Sequence, residues 1–266
     1  MKISIIIPIG DKASYERCKA SVLSSIAATN GQGNNSELIE IFDYDHKGVA
    51  WARNEGLCRA SGDYIVWVDS DDEVSDDWFP MILKGLEENP DVLSFNARVV
   101  WIDGMRPLCT IGGLAYAADV MAERTNGQLW NKVIRQELYE GLTFMGTSHE
   151  DYRLLCELLP RATTFAHINK ELYVYRRSAN GLSQHRDIEL ARKSMLDLIE
   201  FCNKSPEKWK REIRKGVAQR AADFCRNAES TPELRRFIRK SLPSICIDNG
   251  LAVRVKTKCI LASLGI

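Results

Sequence analysis

A cluster of aspartates follows an apolar run within the segment GDYIVWVDSDDEVSDD, residues 62–77. Residues 65–68 predict a short, buried strand, and Asp69, Asp71 and Asp72 come directly after it. Acids this close repel one another at neutral pH unless a cation lies among them. Because magnesium and manganese take carboxylate oxygens together with substrate phosphates, this spacing indicates a divalent-metal site that leaves room for a diphosphate. A solvated Asp string without a role is the alternative interpretation.

Two further acids of the same segment, Asp76 and Asp77, have a simpler explanation. Ser75 before them is a residue type that caps helices, and the apolar spacing beyond predicts a helix that stops at Asn89 and Pro90. Negative charge in a first helical turn complements the helix dipole. We therefore interpret these two acids as helix-start residues that take no part in the metal site.

The elements that must position the acids alternate between strands and helices. Apolar runs and helical spacing predict, in order, a strand at 3–8, a helix at 13–28, a strand at 38–45, a helix at 48–61, a strand at 64–68 and one or two strands within 91–104. This alternation is typical of an α/β fold whose central sheet is mostly parallel. Such sheets bind ligands beyond the carboxyl ends of their strands, which is where the aspartates lie.

Composition places the chain among ordinary globular proteins. Its 266 residues are 45% hydrophobic and 27% charged, which suits one large domain or one domain with an additional region. The eight cysteines include no CxxC pair, so neither a zinc site nor a disulfide framework is indicated. Neither a signal peptide nor an apolar run of the roughly 18 residues that a membrane span needs is evident. We therefore expect a cytoplasmic protein with reduced thiols.

Charge is distributed unevenly along the chain although the net charge is zero. Residues 1–185 carry 26 acidic and 18 basic side chains, whereas residues 186–266 carry 10 acidic and 18 basic ones. We therefore expect a domain over residues 1–185 and a basic, helical C-terminal region over 186–266. The mixture of cations and apolar residues in LAVRVKTKCILASLGI favours peripheral contact with the inner face of an anionic membrane. A basic helical face turned to solvent is the alternative.

Ordered sequence motifs resemble those of the family 2 glycosyltransferases, which have the GT-A fold. SIIIPIGD and GVAWARNEGLCRASGDYIVWVDSDDEV are similar to the nucleotide-sugar half of that family, in which an ARN-x-G helix and a G-[DE]-Y-[IV] strand lead into an Asp-x-Asp metal site. LWNKVIRQEL, HEDYRLLCELL and LYVYRRSANGLS resemble its WNK segment, its ED helix and its LYYYR segment. The resemblance covers residues 2–185 and implies a Rossmann-like, nucleotide-sugar-binding GT-A fold.

The resemblance implies a metal-dependent, inverting transfer of a sugar from a nucleotide-diphosphate donor, with a UDP-sugar favoured and Mn²⁺ or Mg²⁺ as cofactor. Asp71 would be the principal metal ligand, Asp69 would contact the ribose or the metal, and Asp72 could take either role. Arg53 of the ARN helix would face the diphosphate or brace the loop. A pairing of Arg53 with a local acid is the alternative.

A nucleobase site at the end of the first strand is also implied, bordered by Pro8, Ile9, Gly10 and Asp11. The family usually carries VDDGS-x-D after its second strand and then a further helix and strand, whereas here IFDYDHKG joins directly to VAWARN. In this shortened segment Asp43 is the counterpart of the base-contacting acid, with Asp45 as the second choice. The identity of the nucleobase stays open.

The acceptor half of the implied site centres on Glu150 and Asp151 at the start of a predicted helix. Inverting transfer needs a base for the hydroxyl proton of the acceptor, and a carboxylate within hydrogen-bond reach can serve. Asp151 matches the base position of the family, Glu150 would bind the acceptor, and Trp130 could stack on an acceptor sugar. The alternatives are a helix-start acid in the case of Asp151 and a buried structural side chain in the case of Trp130.

These observations favour a bacterial-type glycosyltransferase that builds a surface polysaccharide on a glycan or lipid-linked acceptor. Two other classes compete with it. A nucleotidyltransferase would need a Gly-rich, basic signature after the first strand, and PIGDKASYER matches that signature poorly. A catalytically inactive nucleotide- or glycan-binding relic of the same fold would fit the shortened nucleobase wall, although Asp71 and Asp151 are both present. No nucleic-acid partner is expected.

Overall fold

The computed structural model describes residues 1–10, 12–29, 35–102, 107–177, 188–227 and 230–266. Its strands and helices follow the chain in the order β1 Ile3–Ile9, α1 Lys12–Ala27, β2 Ser36–Phe42, α2 Val49–Arg59, β3 Tyr64–Trp67, β4 Glu73–Val74, α3 Trp78–Gly85, β5 Val92–Trp101, β6 Cys109–Ile111, α4 Ala117–Met121, β7 Lys132–Arg135, α5 Glu150–Leu158, β8 Phe165–Arg177, α6 Ile188–Lys204, α7 Glu207–Asn227, α8 Pro232–Cys246 and α9 Val253–Leu264. The predicted α/β fold with a helical C-terminal region is confirmed.

The centre of the sheet is built from the strands that the sequence predicts most clearly. Every residue of β1 and β3 is buried, because both strands carry apolar, mostly β-branched side chains on both faces. β1 pairs in parallel with β2 on one side and with β3 on the other. The carboxyl ends of these three strands therefore lie side by side, and the aspartates after β3 extend from that edge.

Beyond β3 the sheet is mixed. In the described part of the chain the strand order is β2-β1-β3-β7-β5-β8-β4, and β6 pairs with β5 outside this path. β7 runs antiparallel to β3 and β5, while β5 and β8 are parallel. The expectation of parallel strands thus holds for β2-β1-β3, whereas most of the remaining pairings are antiparallel.

The ARN helix, α2, packs very closely on β1. A Cβ atom at Gly56 would collide with the Ile6 side chain, so only glycine allows this approach. Along α2 the neighbouring residues Ala52 and Arg53 are also buried. This close packing fixes where Arg53 enters the interior.

The start of α3 differs from the prediction. Ser75 does not cap the helix: Asp77 occupies the N-cap position without a side-chain cap bond, and Ser75 Oγ donates to Asp77 Oδ1 at 2.7 Å. Asp77 also pairs with Lys170, and Asp76 Oδ1 accepts from Ser24 Oγ at 3.1 Å. The two acids therefore have tertiary partners. Pairing of the two-residue strand β4 with β8 moves the helix start beyond Ser75.

Apolar cores lie on both faces of the sheet. One face packs against α1 and α3, and the other packs against α2, α4, α5 and the C-terminal helices. Leu198 of α6, Val217 of α7 and Ile238 of α8 belong to the same buried cluster as Ile6 of β1. Helices α6–α9 thus share a core with the α/β part, and the domain boundary at residue 185 stays a prediction.

Within the described ranges, no helix combines the length and the apolar character needed to cross a bilayer.

Candidate functional site

The turn after β3 is held at several points. Asp69 N–H donates to Tyr173 Oη at 3.1 Å, and Asp72 N–H donates back to Asp69 O at 3.1 Å. Arg17 Nη2 donates to Asp71 O at 3.2 Å, while its Nε lies 2.8 Å from Glu73 Oε1. The backbone is therefore fixed, with the Asp71 residue exposed and the Asp69 side chain partly exposed at the sheet edge.

Asp72 points in the opposite direction, into the protein. The residue is 0% exposed, its Oδ2 accepts from Tyr173 Oη at 2.9 Å, and its Oδ1 accepts from Arg176 N–H at 2.7 Å. Burial raises the pKa of Asp72 well above its ordinary value, and the charges of Asp69 and Asp71 raise it further. The expectation of three aspartates around one cation is therefore wrong with respect to Asp72, and no described group of three or more Asp, Glu, His or Cys residues is arranged to hold a metal.

Asp69 and Asp71 remain as candidate metal ligands. Two carboxylates at a sheet edge fit Mg²⁺ or Mn²⁺, which proteins usually hold with one or two carboxylates while phosphates and waters complete the shell. The position of these two residues beyond the carboxyl end of β3 matches the place where α/β sheets bind ligands.

Arg53 is only 5% exposed and pairs with acids from two other segments. Its Nη2 lies 3.1 Å from Asp69 Oδ1, and its Nη1 is hydrogen-bonded to Glu150 Oε1. Burial lowers the pKa of Arg53, but the charges of Glu150 and Asp69 outweigh that effect and raise it. Arg53 therefore pairs with two acids and connects the turn after β3 to the start of α5, while its contact with a diphosphate stays a prediction. Within α2 the next residue, Asn54, makes a two-way hydrogen bond with the backbone of Phe144.

Glu150 and Asp151 begin α5 as predicted, but their side chains have different surroundings. Glu150 is buried against Arg53, and burial raises the pKa of Glu150 despite the lowering effect of that guanidinium. Its carboxylate faces the interior, so the predicted contact of Glu150 with an acceptor is not supported by its position. Asp151 is partly exposed, and its Oδ1 accepts from Tyr152 N–H at 2.6 Å.

Trp130 has the structural role that was the alternative interpretation. The residue is 2% exposed, and its ring stacks on Tyr173 with the centroids 4.4 Å apart. An acceptor sugar has no access to this ring. Because Tyr173 also binds Asp72 and the backbone of Asp69, Trp130 supports the turn that carries these aspartates.

The residues predicted to border a nucleobase lie at the end of β1 and in the loop before α2, and their contacts with a base stay predictions. Pro8 and Ile9 are the buried last residues of β1, and Asp43 N–H donates to Ile9 O at 3.0 Å. The Asp43 carboxylate accepts from the N–H groups of Lys47 and Gly48 at 2.8 and 2.7 Å. It thereby organises the short loop that leads into α2. Asp11 and the segment 178–183 of the LYYYR-like motif lie outside the described residues.

Two cations that sequence reasoning did not assign surround the acceptor half. Lys132 is fully buried and donates to three neutral oxygens, namely Asn126 O, Gln128 O and Asn131 Oδ1, at 2.6–2.8 Å. Burial lowers the pKa of Lys132 to about 7, and the charge of Asp151 counteracts part of that shift. The WNK segment contained this lysine, but its burial could not be read from the motif.

Arg220 of α7 is the second cation. Its Nη1 lies 2.9 Å from His149 Nδ1, its Nη2 lies 2.5 Å from Glu123 Oε1, and its guanidinium carbon lies 4.2 Å from the Tyr152 ring centroid. Only tertiary structure brings this residue from the C-terminal region to the start of α5.

Comparison with known proteins supports one family. The family described as Glycosyl transferase family 2 matches residues 21–108. The chain is 26% identical over 223 residues to Glycosyltransferase GlyA of Streptococcus pneumoniae, covering 69% of this chain and 32% of that protein. It is 21% identical over 208 residues to Cholesterol galactosyltransferase of Borreliella burgdorferi, covering 71% of this chain and 56% of the relative. The chain thus spans about a third of the first relative and just over half of the second.

Solved structures show the same fold. S. aureus TarS 1-349 in complex with UDP-GlcNAc is similar with a TM-score of 0.66 at 15% identity, covering 100% of this chain and 88% of that one. Glucosyl-3-phosphoglycerate synthase from Mycobacterium tuberculosis, in complex with Mn²⁺, UDP and phosphoglyceric acid, gives a TM-score of 0.50 at 18% identity over 77% of this chain and 80% of that one. Over residues 21–108 the chain is thus similar to the family 2 glycosyltransferases, and it has the GT-A fold.

Proposed function

We propose that this chain transfers a sugar from a nucleotide-diphosphate sugar, preferentially a UDP-sugar, to a glycan or lipid-linked acceptor with inversion at the anomeric carbon. The observation that carries the proposal is the double ion pair of Arg53, which joins Asp69 of the donor half to Glu150 of the acceptor half. This pairing supports a single site built from two motifs that are distant in the sequence, with Asp71 exposed and Asp151 partly exposed.

In the donor half, Asp71 and Asp69 would hold Mn²⁺ or Mg²⁺ together with the diphosphate of the donor. The cation would neutralise the negative charge that develops on the departing diphosphate. Arg53 keeps one oxygen of Asp69 in place, and the bonds of Arg17 and Tyr173 hold the turn that carries both acids. The related structures contain UDP-GlcNAc, UDP and Mn²⁺, which supports a UDP-sugar and a divalent cation.

In the acceptor half, Asp151 would act as the general base. As the acceptor oxygen forms its bond to the anomeric carbon, the bond from that carbon to the diphosphate breaks, and the hydroxyl proton passes to Asp151. The Tyr152 N–H holds Oδ1 of Asp151, so we assign the proton to Oδ2. Attack opposite the leaving diphosphate inverts the configuration.

We further propose that the product is a surface polysaccharide and that the chain acts at the inner face of a membrane. Helix α9 and the chain end expose apolar side chains, including Val253 and Ile266 at 77% each, beside Arg254 and Lys256. Such a mixture suits peripheral binding to anionic lipid. Flotation of the full chain with anionic vesicles and not with neutral ones is expected, and equal behaviour with both would remove this part of the proposal.

Calorimetric titration with UDP and UDP-sugars tests the donor half. Donor and Mn²⁺ should each strengthen the binding of the other, because each completes the other's site, and Asp71→Ala should abolish this coupling. UDP binding of equal strength in EDTA and in Mn²⁺ would refute the metal role.

Release of UDP, measured together with mass-spectrometric detection of the glycosylated product, tests turnover against a panel of sugar and glycolipid acceptors. The relic alternative predicts donor binding without UDP release. Transfer with retained configuration, read by NMR of the product's anomeric proton, would contradict inversion.

A further inference from the structure

The C-terminal helix α7 reaches the start of α5 through one side chain, Arg220. Its guanidinium lies between His149 on one side and Glu123 on the other, and it covers the face of the Tyr152 ring. Both flanking residues adopt left-handed backbone conformations, with φ of 61° at His149 and 51° at Glu123. Arg220 thus bonds to two strained, non-glycine positions at once.

His149 is the residue directly before the Glu150–Asp151 pair. Its backbone oxygen accepts from Arg153 N–H at 3.0 Å, so its conformation sets the first turn of α5. A guanidinium can only donate hydrogen bonds, and His149 Nδ1 must therefore be the acceptor of the Arg220 bond. This bond fixes the ring as well as the backbone at the point where the catalytic helix begins.

Helix α7 packs closely enough on its neighbours to hold the start of α5 in position. A Cβ atom at Gly216 would collide with Met121 O and Tyr152 Oη, so the backbone of α7 packs directly on α4 and α5. Burial lowers the pKa of Arg220, but the charges of Glu123 and Asp151 raise it by more.

We propose that Arg220 is a positioning residue of the acceptor half, which orients Asp151 for proton transfer by holding His149 at the start of α5. The inference rests on the proposed role of Asp151 as the base. Under this proposal the basic C-terminal region contributes a residue, Arg220, to the acceptor half of the site.

Arg124 offers a matched control for Arg220. It also connects the α/β part to the C-terminal helices, through ion pairs with Glu212 and Asp248 at 2.6 Å each, and it has comparable exposure. Within the described part of the chain, the hydrogen bonds and ion pairs of Arg124 do not reach α5. A purely structural role predicts the same behaviour when either arginine is replaced.

The first experiment compares Arg220→Met with Arg124→Met in the full chain. Misplacing a catalytic group costs up to about 100-fold in rate, so Arg220→Met should lower kcat by roughly 10- to 100-fold with the Kd of the Mn²⁺–donor complex unchanged. Arg124→Met should lower the Tm while kcat, measured well below that Tm, stays within about threefold of wild type. Equal kcat losses in the two variants, or a normal kcat in Arg220→Met, would overturn the proposal.

A second pair of variants keeps the test valid if Arg220→Met does not fold. His149→Asn retains an oxygen acceptor and a residue type that tolerates the left-handed conformation, whereas His149→Gly retains only the conformation. We expect His149→Asn to stay within about threefold of wild type and His149→Gly to lose roughly 10- to 100-fold in kcat. Equal rates of the two variants would show that the hydrogen bond has no positioning effect.

Hydrogen–deuterium exchange over residues 149–156 separates failure of this inference from failure of the proposed function. Arg220→Met and His149→Gly should accelerate exchange in that segment, and Arg124→Met and His149→Asn should not. A wild-type protein without transferase activity would refute the proposed function, while unchanged exchange in Arg220→Met would refute the positioning role regardless of activity.

Discussion

Replacement of Arg53 by Met is the most informative stability experiment at this site. Arg53 is buried and pairs with Glu150, which is buried as well. Removing one partner of a buried ion pair leaves an uncompensated charge in the interior and typically costs about 3–5 kcal/mol. The other partner, Asp69, is partly exposed and adds little to this loss because solvent screens its charge. We therefore expect Arg53→Met to lose about 3–5 kcal/mol of unfolding free energy at pH 7.

Two controls assign this loss to the stranded Glu150 charge. Arg53→Met combined with Glu150→Gln removes both charges, so part of the lost stability should return, with about 1–3 kcal/mol still missing from an unpaired amide. Arg59→Met breaks an exposed pair with Glu55 at 3.5 Å in the same helix and should cost at most about 0.5 kcal/mol.

The pH dependence of Arg53→Met has a definite sign. Burial raises the pKa of Glu150 above its ordinary value of 4.5, and Arg53 is the group that opposes this shift. A carboxyl with a raised folded-state pKa loses stability as pH rises above the unfolded value. The difference in unfolding free energy between Arg53→Met and wild type should therefore become smaller as the pH falls towards 4.5 and larger as it rises towards 7. Urea denaturation over this range is the assay. A loss below about 1 kcal/mol at pH 7, or a double variant no more stable than Arg53→Met, would refute the reasoning.

Three further predictions concern the supports of the site. Asp72→Asn keeps the shape of a side chain that binds Tyr173 and Arg176 N–H, so it should retain metal-dependent donor binding in calorimetry. Because burial raises the pKa of Asp72, wild type should lose unfolding free energy as the pH is raised from 4 to 7, and Asp72→Asn should lose less. Burial lowers the pKa of Lys132 to about 7, so the stability of wild type should rise as the pH is raised above 7. Lys132→Met should lack this rise, which urea denaturation at a series of pH values would measure. Trp130→Ala should lose about 3–5 kcal/mol in urea denaturation, and Trp130→Phe much less, because an aromatic ring still packs on Tyr173.

Sequence reasoning succeeded where the signal is local. The runs at 3–9 and 64–67 are apolar on both faces, which only a strand in the middle of a covered sheet requires, and both are central strands. Gly56 in the ARN-x-G helix marks the close approach of α2 to Ile6, and the same spacing places Arg53 in the interior. The two strands could be predicted because their signal lies in neighbouring residues alone, whereas the contact of Gly56 with Ile6 and the burial of Arg53 depend on tertiary packing.

The direction of individual side chains could not be predicted. Asp69, Asp71 and Asp72 look equivalent in the sequence, yet the turn directs Asp72 inward to Tyr173, which is about a hundred residues away along the chain. Trp130 lies against that same Tyr173, and no local pattern distinguishes a buried ring from one that faces a ligand. A strand pairing brought these partners together, so the sequence gives no local sign of them.

The supporting cations were missed for the same reason. Arg220 is one of many basic residues in a region whose composition favours a solvated or membrane-facing surface. Its role depends on the packing of α7 against α4 and α5, which no motif encodes. At least one of the cations of residues 186–266 therefore packs inside the protein, while others lie on its surface.

The measurement that tests the central claim most directly is the transfer rate of Asp151→Asn, taken alongside its calorimetric donor affinity. Asn is nearly isosteric and keeps an oxygen for the Tyr152 N–H, but its amide cannot take the acceptor's proton. Donor and Mn²⁺ affinity should stay near wild type, while transfer should fall by roughly 10²–10⁴-fold, the usual effect of losing a general base. A helix-start role alone predicts a stability loss of about 0.3–1 kcal/mol with turnover intact. Near-normal transfer by Asp151→Asn would contradict the proposed site.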